Sequence, residues 1–385
     1  MLGLLAVGGQ FSRAATLSYD VYTLPVGNSA ASTVTSVIFD GKYIWATVQN
    51  PNGGVVQKLD SSGAILSTTP VGAAPIELAY DGANIWVTDY TSSDVTIVTR
   101  GGNPVKTIPL PGANPEGILF DGKYIWVANN GVGANSVSKF DVVSQTLIAT
   151  YPVGLNPDGV AFDGVSIWVT NSYNNDVWKI NRDSGTYVDG YGTGIYPLSI
   201  IYDGANMWIG NGNGGSAGTA VSGGGSLTKI RASDGATLGT YAVGSVVRGL
   251  LFDGTSIWVC NSGDNTVSRL QSSNVALLGT YATGKAPRAV AFDGTKIWIA
   301  NSGDDTLTVI APAAFPDATA AMRPLAAGVV FGAVADQPST AVRGPARPPR
   351  PGRGSAGIMP VIVTQRVVAA PSTLGSMLNL LLDVD

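Results

Sequence analysis

Acid–base chemistry in this 385-residue chain has few residues to draw on. Histidine is absent, which removes the Ser-His-Asp triad, the Cys-His dyad, His-ligated zinc and the commonest general base. One cysteine, Cys260, leaves no intrachain disulfide and no CxxC motif. Glutamate occurs only at Glu77 and Glu116. With Asp158, these are the carboxylates that could act as base or metal ligands in a divergent lyase or hydrolase. No resident cofactor is expected, calcium or magnesium being the one option the oxygen-rich residues leave open. Arg248, Lys285 and Arg288 supply positive charge, and Tyr90, Tyr173 and Tyr196 supply faces on which a sugar or a protein side chain can stack.

A repeat must bring these scattered residues together. An aromatic, Asp-Gly, two variable residues, an aliphatic and Trp recur seven times, from FDGKYIW at Asp40 to FDGTKIW at Asp293. Successive aspartates are 41, 40, 42, 40, 50 and 40 residues apart. Each unit holds four short apolar runs separated by turn residues. In the sixth these are Val247–Phe252, Ser256–Cys260, Thr266–Leu270 and Leu277–Ala282, with Asp253-Gly254 as the first hairpin turn. Four antiparallel strands in about 40 residues make a propeller blade. The last unit breaks off at Ala311-Pro312 without a fourth strand, and Leu17–Gly27 matches the missing piece. The predicted fold is an all-β, seven-bladed β-propeller over residues 16–312, closed by its N-terminal strand, which removes the open edge.

The two ends follow other rules. Residues 1–15 carry a short apolar stretch, Leu2–Val7, and end in Arg13-Ala14-Ala15 without a basic leader, which reads as a truncated signal peptide. Residues 313–385 form a C-terminal extension rich in Pro, Ala, Arg and Gly, expected to be disordered or to dock on something. The Gly/Ser-rich stretch Asn211–Ser226 lengthens the fifth unit. A net charge of −4 argues against nucleic acid as partner. No run of 18 apolar residues predicts a transmembrane span.

The pattern FDGxxIWVxN…VxKL…GTYxVGxxP resembles bacterial propellers of the YVTN/NHL type, especially streptogramin-B-lyase-like repeats, over about 300 residues. The resemblance implies the propeller scaffold. It also implies an enzyme that opens a lactone by elimination, using histidines and a glutamate near bound magnesium. This sequence has no histidine to receive those roles. At the position after the linker proline it carries Ile76, Glu116, Asp158, Leu198 and Arg288 instead.

In a four-stranded meander, the lead-in to strand one and the loop between strands two and three share one face, here called the top. Its mouth would collect Thr35, Ile76, Glu116, Asp158, Leu198, Arg248 and Arg288, with Glu77 on the acidic side and Lys285 on the basic side. Asn129, Asn171, Asn211, Asn261 and Asn301 recur after the Trp and either bind glycan hydroxyls or satisfy their own loops, repetition favouring the second. The loops Asn261–Thr266 and Asn301–Thr306 are good turns that lack an EF-hand's ligand count. Cys260 occupies a small buried slot held elsewhere by Thr47, Thr88 or Ala128, and Trp178 is either an interblade filler or a contact. The expectation is a secreted or cell-surface binding propeller that presents its top face to a protein or glycan within a surface assembly. A divergent metal-assisted lyase or hydrolase, and a structural subunit self-assembling through its tail, are the alternatives.

Overall fold

The structure is a computed structural model and describes residues 19–25, 32–50, 53–212, 214–215, 219–220 and 224–312. The expected signal segment, the C-terminal extension and seven of the sixteen residues of the blade-five insertion lie outside them. Seven four-stranded antiparallel sheets follow one another, with strands in chain order in the first six blades and the N-terminal strand outermost in the seventh. Blade one runs Thr33–Phe39, Ile44–Asn50, Gly53–Leu59 and Ile65–Val71. Each innermost strand packs against those of its two neighbours, and blade seven's against blade one's, so the ring closes around a channel. The closing strand is Tyr19–Pro25, antiparallel to Thr306–Pro312, with Tyr19 opposite Pro312 and Pro25 opposite Thr306. The sequence-derived strands of blade six match the observed ones to within one residue.

The Asp-Gly motif explains why each blade forms. After strand one the chain must reverse, and the seven turn glycines adopt φ between +89° and +98°, a region a Cβ disfavours. Asp40 then fixes the turn: its Oδ1 accepts the Lys42 and Tyr43 amides at 2.8 and 2.7 Å. Its other oxygen, Oδ2, accepts the indole N–H of Trp45 at 2.9 Å. The same aspartate-to-indole bond recurs in all seven blades at 2.7–2.9 Å.

Each anchored Trp is buried and packs into the following blade. Trp45 lies against Leu78, Tyr80 and Ile85, Trp86 against Ile118 and Phe140, and Trp298 against Val34, Val37 and Ile44. Burying an indole contributes on the order of 4–6 kcal/mol before entropy is charged against it. Cations complete the joint. Lys58, Lys139, Lys179, Lys229 and Arg269 stand directly opposite a Trp in the strand register and lie 4.4–5.6 Å from its ring centre. The four lysines also donate to a carbonyl of the next blade, as Lys58 Nζ does to Arg100 O at 2.9 Å. In two joints an arginine returns the contact: Arg100 Nε reaches Asp40 at 2.9 Å and Arg182 Nε reaches Asp121 at 2.7 Å.

Burial alone would raise the Asp121 carboxyl. The Arg182 guanidinium, the Tyr124 amide and the Trp126 indole overcome it and hold the group below the usual carboxylate range. Its stabilisation is therefore present at neutral pH and is lost as pH falls through that lowered value. Replacing Asp121→Asn turns one acceptor oxygen into a donor facing other donors. Urea unfolding of this variant at neutral pH is expected to show a loss of about 3 kcal/mol, with a shallower acid limb than the parent. A loss below about 1 kcal/mol would show that the indole bond carries little.

Candidate functional site

The inner strand of every blade carries a bulge against strand two, falling between Val34 and Ser36, Pro75 and Leu78, Pro115 and Ile118, Pro157 and Val160, Pro197 and Ser199, Val247 and Leu250, and Pro287 and Ala289. A bulge leaves residues without a ladder partner and re-aims their side chains. Thr35, Ile76, Glu77, Glu116, Asp158, Leu198, Arg248 and Arg288 all sit in these bulges. Strand two holds the bulge from behind: Thr47, Thr88 and Thr170 accept the Ser36, Glu77 and Gly159 amides at 2.9, 3.0 and 2.8 Å. Cys260 takes this slot in blade six, where its buried sulfur faces the Gly249 amide and desolvation pushes the thiol far up. Glycines follow Glu116, Asp158 and Arg248 because the next inner strand passes close by. A Cβ on Gly117 would meet the Asp158 carbonyl, and one on Gly249 the Arg288 carbonyl.

The channel has three parts. An upper chamber of about 370 Å³ is walled by Tyr90, Tyr173, Tyr196, Asn114, Asn130 and Asn156 among others, with Glu116, Asp158, Arg248 and Arg288 also lining it. A neck of about 20 Å³ lies between Glu77, Glu116, Asp158, Leu198, Arg248 and Arg288, room for little more than a water. A lower chamber of about 250 Å³ is mostly apolar. Across the neck, Arg288 Nη2 bonds Glu116 Oε1 at 3.1 Å, joining blade seven to blade three. Asp158 is within hydrogen-bond reach of Glu116 and Ser172; desolvation first, then the neighbouring Glu116 charge, raises its carboxyl. Glu77 Oε2 accepts the Ile118 amide at 3.2 Å. Surrounded by protein although it borders the channel, Glu77 is pushed up to about 7 by desolvation, against the pull of Arg288. Arg248 forms no ion pair or hydrogen bond among the described residues, and burial, then Arg288, lowers its affinity for its proton.

Eight of the nine residues singled out from sequence thus line one channel. Lys285 does not: it is exposed on the lead-in loop, outside all three chambers, because no bulge turns it inward. Thr35, placed at the mouth from sequence, is buried, with Oγ1 on the Pro75 carbonyl at 2.6 Å. The sequence reading missed Asn114, Asn130 and Asn156. It also missed the backbone of Tyr196, a bulky residue at φ +59° where other blades place Ala74, Asn114, Asn156, Val246 and Ala286. The Asn175 side chain accepts the Tyr196 amide at 2.8 Å, and the Tyr196 ring lies 6.0 Å from that of Tyr173. Burial raises the phenols of Tyr90 and Tyr196, keeping both protonated as donors.

The recurrent asparagines are structural. All five are buried, and Asn261 Nδ2, for instance, donates to Thr266 and Ser268 at 3.0 and 2.9 Å. Blade two has Asp89 in this place, fully buried, with Thr96 donating to Oδ2 at 2.6 Å. Its Oδ1 and Asp94 Oδ1 are both buried without a donor. Desolvation, and beyond it the neighbouring Asp94 carboxyl, pushes Asp89 up to about 8, so a proton on Asp89 shared with Asp94 would meet that need. In the calcium-like loops the carboxylates are spent on backbone: Asp264 and Asp304 accept the Ser245 and Lys285 amides, each at 2.7 Å. Among the described residues no three acidic or thiol groups converge as a metal site, and the two guanidiniums in the neck oppose a divalent cation there. Trp178 packs edge-on to Tyr187 at 4.9 Å beside the blade-four core.

The fold is that of a seven-bladed β-propeller, and solved propellers superpose on it. Virginiamycin B lyase from Staphylococcus aureus, solved with quinupristin in a catalytically inactive histidine-to-alanine form, superposes with a TM-score of 0.63 at 18% identity, covering 76% of this chain and 99% of the lyase. A streptogramin B lyase structure gives 0.63 at 17%, over 76% and 97%. Kuenenia stuttgartiensis hydrazine synthase gives 0.61 at 19%, over 74% and 97%. No family profile and no curated protein matches the sequence.

Asp89 yields a pH-dependent expectation. Its folded value lies above the unfolded one, so the folded state holds a proton that the unfolded state releases, and stability falls as pH rises from about 4 to about 8. Asp89→Asn supplies a donor toward Asp94, as Asn171 Nδ2 does toward Asp176 at 2.8 Å in blade four. Thermal melts should show the variant more stable by several degrees at about pH 8, with the gain gone by about pH 4. An equal gain at both would contradict the shared proton.

Proposed function

We propose that this propeller is a binding protein whose upper chamber takes a glycan. One observation carries the reading: a concave cavity of about 370 Å³ combines three tyrosines with asparagine amides, carboxyls and guanidiniums. Aromatic faces stack on the apolar side of a sugar ring, and planar polar groups bond its hydroxyls. A protein partner would want a wider apolar patch, whereas this wall is recessed and polar. The short apolar stretch Leu2–Val7 supports placement outside the cell, where glycans are displayed.

The neighbouring lyase loses its activity when a histidine is replaced, and this chain has no histidine, which favours binding over lactone opening. One observation favours a second reading. Glu77, pushed up to about 7, lines the neck below the chamber, where a single water could relay a proton between it and a bound molecule. That reading requires turnover of a bound glycan or lactone with a pH dependence near 7, lost in Glu77→Gln.

A glycan array probed with the full chain should give binding, weakened roughly three- to ten-fold by Tyr173→Ala. Tyr196→Asn relieves a left-handed tyrosine and should gain about 1 kcal/mol in stability while weakening the same glycans. A variant that is more stable and binds less well separates recognition from folding. Absence of binding to any glycan overturns the reading.

A further inference from the structure

Within the upper chamber, and resting on the glycan reading, we propose that the ligand is an acidic sugar whose carboxylate docks on Arg248. The argument is one of charge partners. The Arg288 guanidinium has its carboxylate, Glu116, at 3.1 Å. Glu116 also stands within hydrogen-bond reach of Asp158, so those two carboxyls are held to each other and to Arg288. Glu77 is turned toward the Ile118 amide below. Arg248 alone has no ion pair or hydrogen bond among the described residues, yet it lines the upper chamber, the neck and the lower chamber alike.

This guanidinium at the floor of a narrow polar cavity feels the Glu116 and Asp158 carboxyls only through space, with no acceptor in hydrogen-bond contact among the described residues. The bulge at Val247–Leu250 aims it inward, and the close passage of the next inner strand past Gly249 fixes its backbone. A planar, forked donor fits a carboxylate bidentately. The chamber above is large enough for a sugar ring, and the neck, at about 20 Å³, stops the ring from passing deeper. A sugar entering from the top with its ring against Tyr173 and Tyr196 would carry its acidic group down to this floor.

Titration calorimetry on the full chain tests this with glucuronate, glucose and glucose 6-sulfate. Glucuronate should bind about ten-fold or more tighter than glucose, and tighter than the sulfate, whose longer arm and tetrahedral head fit the fork less well. Arg248→Gln should abolish the preference, so that the variant binds glucuronate no tighter than it binds glucose. Arg248→Lys, a gentler change, should keep only part of the preference. Equal binding of glucuronate and glucose by the parent overturns the proposal while leaving the glycan reading intact, and needs no variant. So does a preference that survives Arg248→Gln, and a preference for the sulfate reassigns the site to sulfated sugars. Failure of all three sugars, together with a blank glycan array, removes the glycan reading and this proposal with it.

Discussion

One hydrogen bond organises the molecule: the carboxylate of the Asp-Gly turn accepting the indole N–H five residues on, in every blade. A tryptophan cannot be buried cheaply unless its single donor is satisfied. The turn that reverses the chain supplies the acceptor, so the local hairpin and the interblade core form from the same side chain. The tryptophan then packs into the following blade, and the cation opposite it reaches that blade's backbone. Local turn chemistry is thereby converted into ring closure, with no long-range sequence signal required beyond the repeat.

Much of this was legible in the sequence because it is periodic. The spacing of the FDGxxIW string carries the blade count, the apolar runs between turns mark the strands, and the match of Leu17–Gly27 to the strand missing after Pro312 marks the N-terminal closure. The indole bond was present in the same string, as an aspartate always five residues before the Trp, but a pattern of residue types does not show which atoms meet. The bulges left only a faint trace, a glycine after Glu116, Asp158 and Arg248. Lys285 stays on the exposed lead-in loop of the top face for that reason: proximity in sequence to a mouth residue does not turn a side chain inward without the bulge. The Arg288–Glu116 bond joins residues 172 positions apart across the channel, and only the closed ring brings them together.

The propeller neighbours share this scaffold at 17–19% identity, a level at which fold is retained and the site is free to change. The contents of the channel mark the difference. This ring presents a crossed set of carboxyls and guanidiniums in a neck too narrow for more than a water. Burial raises two of its acids, Glu77 and Asp158, which weakens the negative charge the neck would otherwise carry.

The bulge at the start of each inner strand has a consequence for how such a protein diversifies. Because the bulged residue lacks a ladder partner, its identity is largely uncoupled from the turn and the tryptophan. Blade one spends its bulge on the joint, with Thr35 buried on the Pro75 carbonyl; the other six offer interchangeable sockets around one opening, each open to change by a single codon. Isoleucine, glutamate, aspartate, leucine and two arginines fill them here. A different selection in the same sockets would make a receptor for a different molecule, and the scaffold would carry no record of the exchange.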